Sequence, residues 1–142
     1  MRYFLLFFLI ILSCSGGTVY DIKFLNISGN FVKIKRSEKK LLLYVWSGTC
    51  TGHTEDLKTL NKVYDELKKK YNIVSVAVFM TPGDIKELLK KEKINPKYPI
   101  LADPKGKLTE KVKLIFLPAT LIFDKEGRLI KNLPRLPLNR IL

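Results

Sequence analysis

The chain has 142 residues, 46% apolar and 27% charged, and its 26 Lys plus Arg against 13 Asp plus Glu give a formal charge of +13. That length carries one domain whose core needs no disulfide staples. The charge reads as a lysine-biased, solvated surface suited to anionic lipid or acidic partners; nucleic acid is set aside because no recognition motif accompanies it.

Met1-Arg2 and the apolar run Tyr3 to Leu12 have the charge and length of an export signal, and about ten apolar residues are too few to span a bilayer. The run ends in Ile11-Leu12-Ser13-Cys14, which resembles a bacterial lipoprotein processing site and implies cleavage before Cys14 and lipid attachment to it. An ordinary cleaved signal and an uncleaved anchor stay open. The expected organisation is a signal over 1–13, a tether over 14–20 and one domain over 21–142. Cys50 is then the only cysteine of the folded part.

Phe24 to Ile34 predicts one or two short strands broken at Ser28-Gly29-Asn30. Arg36 to Lys40 is a charged loop. Leu41 to Trp46 is an apolar run of buried-strand length, and the spacing of Leu57, Leu60, Tyr64, Leu67 and Tyr71 predicts a helix over 52–71. Ile73 to Phe79 is a second apolar, β-branched run, the parallel partner that a βαβ unit requires. Thr81-Pro82-Gly83-Asp84 opens the next helix with an N-cap threonine, a proline at N1 and an acid at N3; Ile85, Leu88, Leu89 and Ile94 form its buried stripe. Tyr98 to Asp103 is extended, and Gly106 to Val112 makes a turn or two of helix. Ala119–Phe123 and Arg128–Ile130 form a hairpin around Asp124-Lys125-Glu126-Gly127, with Gly127 left-handed. The tail over 132–142 is expected to be irregular.

Between the first long strand and its helix stands Trp46-Ser47-Gly48-Thr49-Cys50-Thr51-Gly52-His53. A cysteine in the first turn of a helix meets unpaired amides, which favour its thiolate. A second cysteine three residues on would make a redox dithiol. Here that position is His53, so a dithiol–disulfide cycle within the motif is excluded.

The element order and several stretches resemble the thioredoxin fold, and more narrowly the membrane-tethered, extracytoplasmic thiol–disulfide oxidoreductases of the TlpA/ResA-like branch. Val45-Trp46-Ser47-Gly48-Thr49-Cys50 matches that family's aromatic-Trp-Ala-Ser-Trp-Cys segment with Thr49 for the second Trp. Tyr98 to Gly106 matches Tyr-Pro-x-x-x-Asp-x-x-Gly, and Leu117 to Gly127 matches Leu-Pro-x-Thr-x-x-Ile-Asp-x-x-Gly. Over about residues 20–131, the resemblance implies an α/β, three-layer fold with a central mixed sheet between helices. It implies thiol–disulfide exchange without a cofactor, on exported proteins that include apocytochromes, with an external thiol as reductant. The chain departs from the family in four places: His53 replaces the resolving cysteine, Lys58 replaces the proline that bends the active-site helix, no acid lies in strand 41–46, and the C-terminal tail looks short for the family's last helix.

The candidate site residues follow. Cys50 either attacks a disulfide or is a retained, packed cysteine. His53, at helical spacing from it, either accepts the thiol proton and stabilises thiolate or fills the gap left by a lost cysteine. Asp56 either orients His53 or, as the favoured reading, is a solvated helix acid. Pro118 resembles the family's cis-proline, which implies that Leu117 pairs with a substrate chain as an added strand. Trp46 either packs beside the site or serves the core alone. A rival reading is a redox-inactive module that keeps this peptide groove. A second rival is copper binding through Cys50, His53 and Met80, soft or borderline ligands. A peroxidase is disfavoured because Ser47 occupies the threonine position of a Thr-x-x-Cys motif.

Overall fold

The structure is a computed structural model that describes residues 17–142; the export-signal and Cys14 expectations lie outside the described residues. Seven strands form one mixed sheet in the order β2-β1-β5-β4-β3-β6-β7. The strands are β1 (Phe24–Leu25), β2 (Phe31–Val32), β3 (Lys40–Trp46), β4 (Tyr71–Val78), β5 (Ile100–Asp103), β6 (Ala119–Phe123) and β7 (Leu129–Pro134). The helices are α1 (His53–Leu67), α2 (Pro82–Lys91), α3 (Lys107–Lys111) and α4 (Leu138–Ile141). No helix among the described residues is long and apolar enough to cross a membrane.

The apolar runs sit where unbroken hydrophobicity requires, in the middle of a two-faced sheet. β3 pairs parallel with β4 and antiparallel with β6. Its even residues Leu42, Tyr44 and Trp46 enter one core with Leu57 and Leu60 of α1 and Ile85 of α2. Its odd residues Leu41, Leu43 and Val45 enter a second core with Val74 and Val76 of β4 and Leu108 of α3. The expected three layers with a central mixed sheet are thus present. The Thr81 capping box forms in both directions, and Gly127 holds φ +86°.

Three boundaries differ from the expectations. The packed chain begins at Thr18, because Val19 and Tyr20 are buried and Thr18 caps a 3-10 turn over Val19–Asp21; a tether reaching residue 20 is therefore too long. Helix α1 stops at Leu67, the chain turns over Lys68–Lys70, and Tyr71 pairs with Lys40 as the first residue of β4. The tail is ordered: β7 continues to Pro134, and Leu133, Leu136 and Ile141 are buried in the core under α1. A closing β7–α4 segment covers apolar surface that α1 and β6 would otherwise leave wet.

Candidate functional site

β3 ends at Trp46, and the chain runs through Ser47–Gly52 before α1 begins at His53. Gly52 is the N-cap, held at φ +91°, a left-handed conformation that glycine reaches without a Cβ penalty. Cys50 therefore lies in the loop ahead of the helix. The expectation that it occupies the first turn, sharing a helical face with His53, is corrected by this break at Gly52.

Cys50 is a free, partly exposed thiol. Its Sγ donates to the Ser47 carbonyl at 2.9 Å and accepts from the Ser47 amide at 3.4 Å. Burial pushes the thiol pKa up, amides of Ser47, Cys50 and His53 pull it back, and the charge of Asp56 adds to the rise. A donated S–H bond to a carbonyl likewise favours the neutral thiol. The resting site therefore holds Cys50 protonated, against the thiolate that a helix terminus alone predicts.

His53 does not bond to the sulfur. Its Nδ1 lies 2.8 Å from the Cys50 carbonyl oxygen, and a contact of that length assigns the proton to Nδ1. The ring stacks on Trp46 with centroids 5.3 Å apart and planes 7° apart. Trp46 itself is fully buried and donates Nε1–H to Ser75 Oγ at 2.7 Å. Trp46 is thus both core residue and floor of the site. On its outer side, His53 borders a shallow cleft of about 360 Å³ with Gly48, Thr54, Asp84, Glu87 and Leu88. A larger cleft of about 460 Å³, lined by Ser37, Lys39, Tyr64 and Lys68, opens at the other end of β3 and takes no part in this chemistry.

Asp56 reverses its favoured reading. It is buried, with Oδ2 accepting from the Tyr44 hydroxyl at 2.8 Å and Oδ1 accepting from Arg135 Nη2 at 2.8 Å. Arg135 Nε reaches Oδ2 at 3.3 Å, and Nη2 also reaches the Gly52 carbonyl at 3.4 Å and Glu55 at 3.5 Å. Asp56 is therefore neither a solvated acid nor the orienter of His53. It is the centre of a buried polar cluster beneath the Cys50 loop. β3 lacks an acid, as the sequence says, but its Tyr44 hydroxyl reaches one on α1.

The other wall comes from β6. The register pairs Val45 with Ala119, so Leu117-Pro118 leaves the sheet beside Trp46 at the same end as the Cys50 loop. The Leu117–Pro118 peptide bond is cis, and the run Ile115, Phe116 and Leu117 is exposed. The Pro118 carbonyl accepts from the Arg135 amide at 2.9 Å. Met80 packs under Gly48, where a Cβ would meet its Cε at 3.4 Å. Cys50 Sγ and His53 Nδ1 are turned to different carbonyl oxygens, and among the described residues no three His, Cys, Asp or Glu side chains converge on a metal-sized space.

Sequence reasoning missed Tyr44, Ser47 and Arg135. Asp56 carried a readable signal, since it stands on the inward stripe of α1, one residue before Leu57 and four before Leu60. Arg135 carried none, because it meets Asp56 across 79 positions.

Comparison with known proteins fits this geometry. The chain is 31% identical over 97 residues to the thiol-disulfide oxidoreductase YkuV of Bacillus subtilis strain 168, covering 65% of this chain and 64% of that one. It is 23% identical over 110 residues to the thiol-disulfide oxidoreductase ResA of Bacillus thuringiensis, covering 76% of this chain and 62% of that one. The chain therefore spans a little under two thirds of the length of these relatives. Among solved structures, the exposed lipoprotein thioredoxin Etrx1 of Streptococcus pneumoniae strain TIGR4 superposes with a TM-score of 0.70 at 24% identity, over 84% of this chain and 93% of that one. A thiol:disulfide interchange protein DsbE from Chlorobium tepidum gives 0.71 at 18% identity, over 88% of each. These likenesses establish the thioredoxin-like fold. Residues 16–132 match the AhpC/TSA family, and the chain belongs to that family.

Proposed function

We propose that this protein carries out thiol–disulfide exchange through a single cysteine, Cys50. The observation that carries the reading is the placement of one partly exposed thiol on the loop beside Leu117-Pro118, with no second cysteine among the described residues. Cys50 loses its proton to solvent base, and the thiolate attacks one sulfur of a partner disulfide. An S–S bond forms between Cys50 and that sulfur while the other partner sulfur leaves as thiolate and takes up a proton. Cys50 is oxidised to a mixed disulfide and one partner sulfur is reduced. An external thiolate then attacks the partner sulfur of the mixed disulfide; an S–S bond forms between them while Cys50 leaves as thiolate and takes up a proton.

His53 stands at the resolving position and cannot supply that second attack. Its role is to brace the Cys50 carbonyl and shield Trp46. Leu117 offers backbone to an extended partner segment, and the exposed Ile115–Leu117 run gives that segment apolar contact. Partners are exported proteins with thiols or disulfides, apocytochromes included, and the domain is held outside the cytoplasmic membrane by lipid on Cys14. Trapping tests this: acid quench of cells followed by isolation of covalent adducts yields partner chains on wild-type protein and none on Cys50→Ser. Recovery of no Cys50-dependent adduct favours the redox-inactive peptide-binding module instead.

A further inference from the structure

We propose that Arg135 is a positioning residue for Cys50: it neutralises the buried Asp56 carboxylate beneath the sulfur and ties that carboxylate to both walls of the site. This rests on the reading of Cys50 as the exchanging thiol.

The geometry is specific. Arg135 holds φ +52°, a conformation that non-glycine residues seldom adopt. It is pinned there by its amide on the Pro118 carbonyl and by the Thr120 hydroxyl on its own carbonyl. From that fixed backbone the guanidinium crosses to α1, where it forks onto Asp56 and reaches the Gly52 carbonyl. A Cβ on Gly52 would sit 2.7 Å from the guanidinium carbon, so the bare glycine is also what admits the arginine. One residue thus joins the Leu117-Pro118 wall, the start of α1 and the buried carboxylate.

The electrostatic consequence follows from burial. A carboxylate screened from water acts strongly on a neighbouring sulfur and disfavours its thiolate. The charged or titratable groups facing this spot are Tyr44 from β3, His53, Glu55 and Asp56 from α1, and Arg135 from the end of β7. The segments after β4 and before β6 bring Met80 and Pro118, which carry no charge. Arg135 is the only fixed cation among these groups. Taking it away leaves the buried Asp56 carboxylate acting on the sulfur unopposed.

The test is the pH profile of Cys50 alkylation in the full chain, read by mass spectrometry on the Cys50 peptide so that Cys14 does not enter. Arg135→Met is expected to raise the midpoint by about one pH unit, which is about tenfold slower labelling at neutral pH. Arg135→Lys is expected to restore most of it, Asp56→Asn to lower it, and the Asp56→Asn/Arg135→Met pair to return near wild type. A merely structural arginine would change the rate at every pH without moving the midpoint. An unmoved midpoint in folded Arg135→Met overturns the proposal. If that variant does not fold, Asp56→Asn decides: an unmoved or raised midpoint overturns it as well. Alkylation reports ionisation whether or not Cys50 exchanges with a partner, so failure here is distinguishable from failure of trapping.

Discussion

Two regions meet at Cys50, and they are built differently. Outside it, the stretch from Cys50 to His53 is held by local contacts: a sulfur on the Ser47 backbone, an imidazole on the Cys50 carbonyl and a ring stacked on Trp46. Beneath it, Tyr44 of β3, Asp56 of α1 and Arg135 just after β7 are joined by charge-assisted hydrogen bonds centred on the buried Asp56 carboxylate. The outer half lacks a resolving thiol, because His53 stands three residues after Cys50. The inner half adds the charge of Asp56 to the burial that raises the Cys50 pKa, while amides of the outer half lower it. The departure from a dithiol motif is confined to the outer half.

Removing a member from each half separates them. Asp56→Ala leaves the Tyr44 hydroxyl buried without an acceptor and frees Arg135, whose half-exposed guanidinium re-solvates at little cost. The loss in unfolding free energy is expected at about 1–3 kcal/mol, the penalty of one orphaned buried group. His53→Ala gives up a stack and a backbone bond at the rim and is expected to cost about 1 kcal/mol. Urea denaturation of both variants checks the order. A His53→Ala loss equal to or larger than that of Asp56→Ala would place the structural weight in the outer half.

A smaller effect sharpens the same contrast through pH. Burial raises the folded Cys50 pKa above the unfolded value of about 8.5. Below that value both states keep the proton and stability does not depend on this group. Above it the unfolded thiol ionises first, so stability falls with rising pH until the folded thiol also titrates. Wild type is expected to lose more stability between pH 8 and 10 than Cys50→Ala. Equal slopes would mean that the sulfur is no harder to ionise in the fold than out of it.

What the sequence made legible was what local pattern carries. The apolar runs 41–46 and 73–79 became the two central strands because nothing but a doubly covered sheet buries both faces of such runs. Thr81-Pro82-Gly83-Asp84 announced α2 because capping is a four-residue event. Two apolar runs around Asp124-Lys125-Glu126-Gly127 placed the hairpin, and the resemblance of Leu117–Gly127 placed the proline wall. The tail was opaque: Leu133, Leu136 and Ile141 keep no single period, and Pro134 and Pro137 mask the strand and the short helix. Asp56 was visible as an acid on an apolar stripe, yet its partner lies in that tail, so its burial had no local explanation. Cys50 lies ahead of α1 because Gly52 takes a left-handed N-cap conformation that no apolar periodicity reports.

The most direct measurement of the single-cysteine account is the lifetime of a mixed disulfide on Cys50, formed with a small reporter disulfide and followed by intact mass with Cys14 accounted for separately. Wild-type protein is predicted to keep its adduct until an external thiol is added, while His53→Cys discharges it unaided by closing on Cys50. An adduct that leaves wild type as fast as it leaves His53→Cys, or a folded chain whose Cys50 never takes one, would contradict the account.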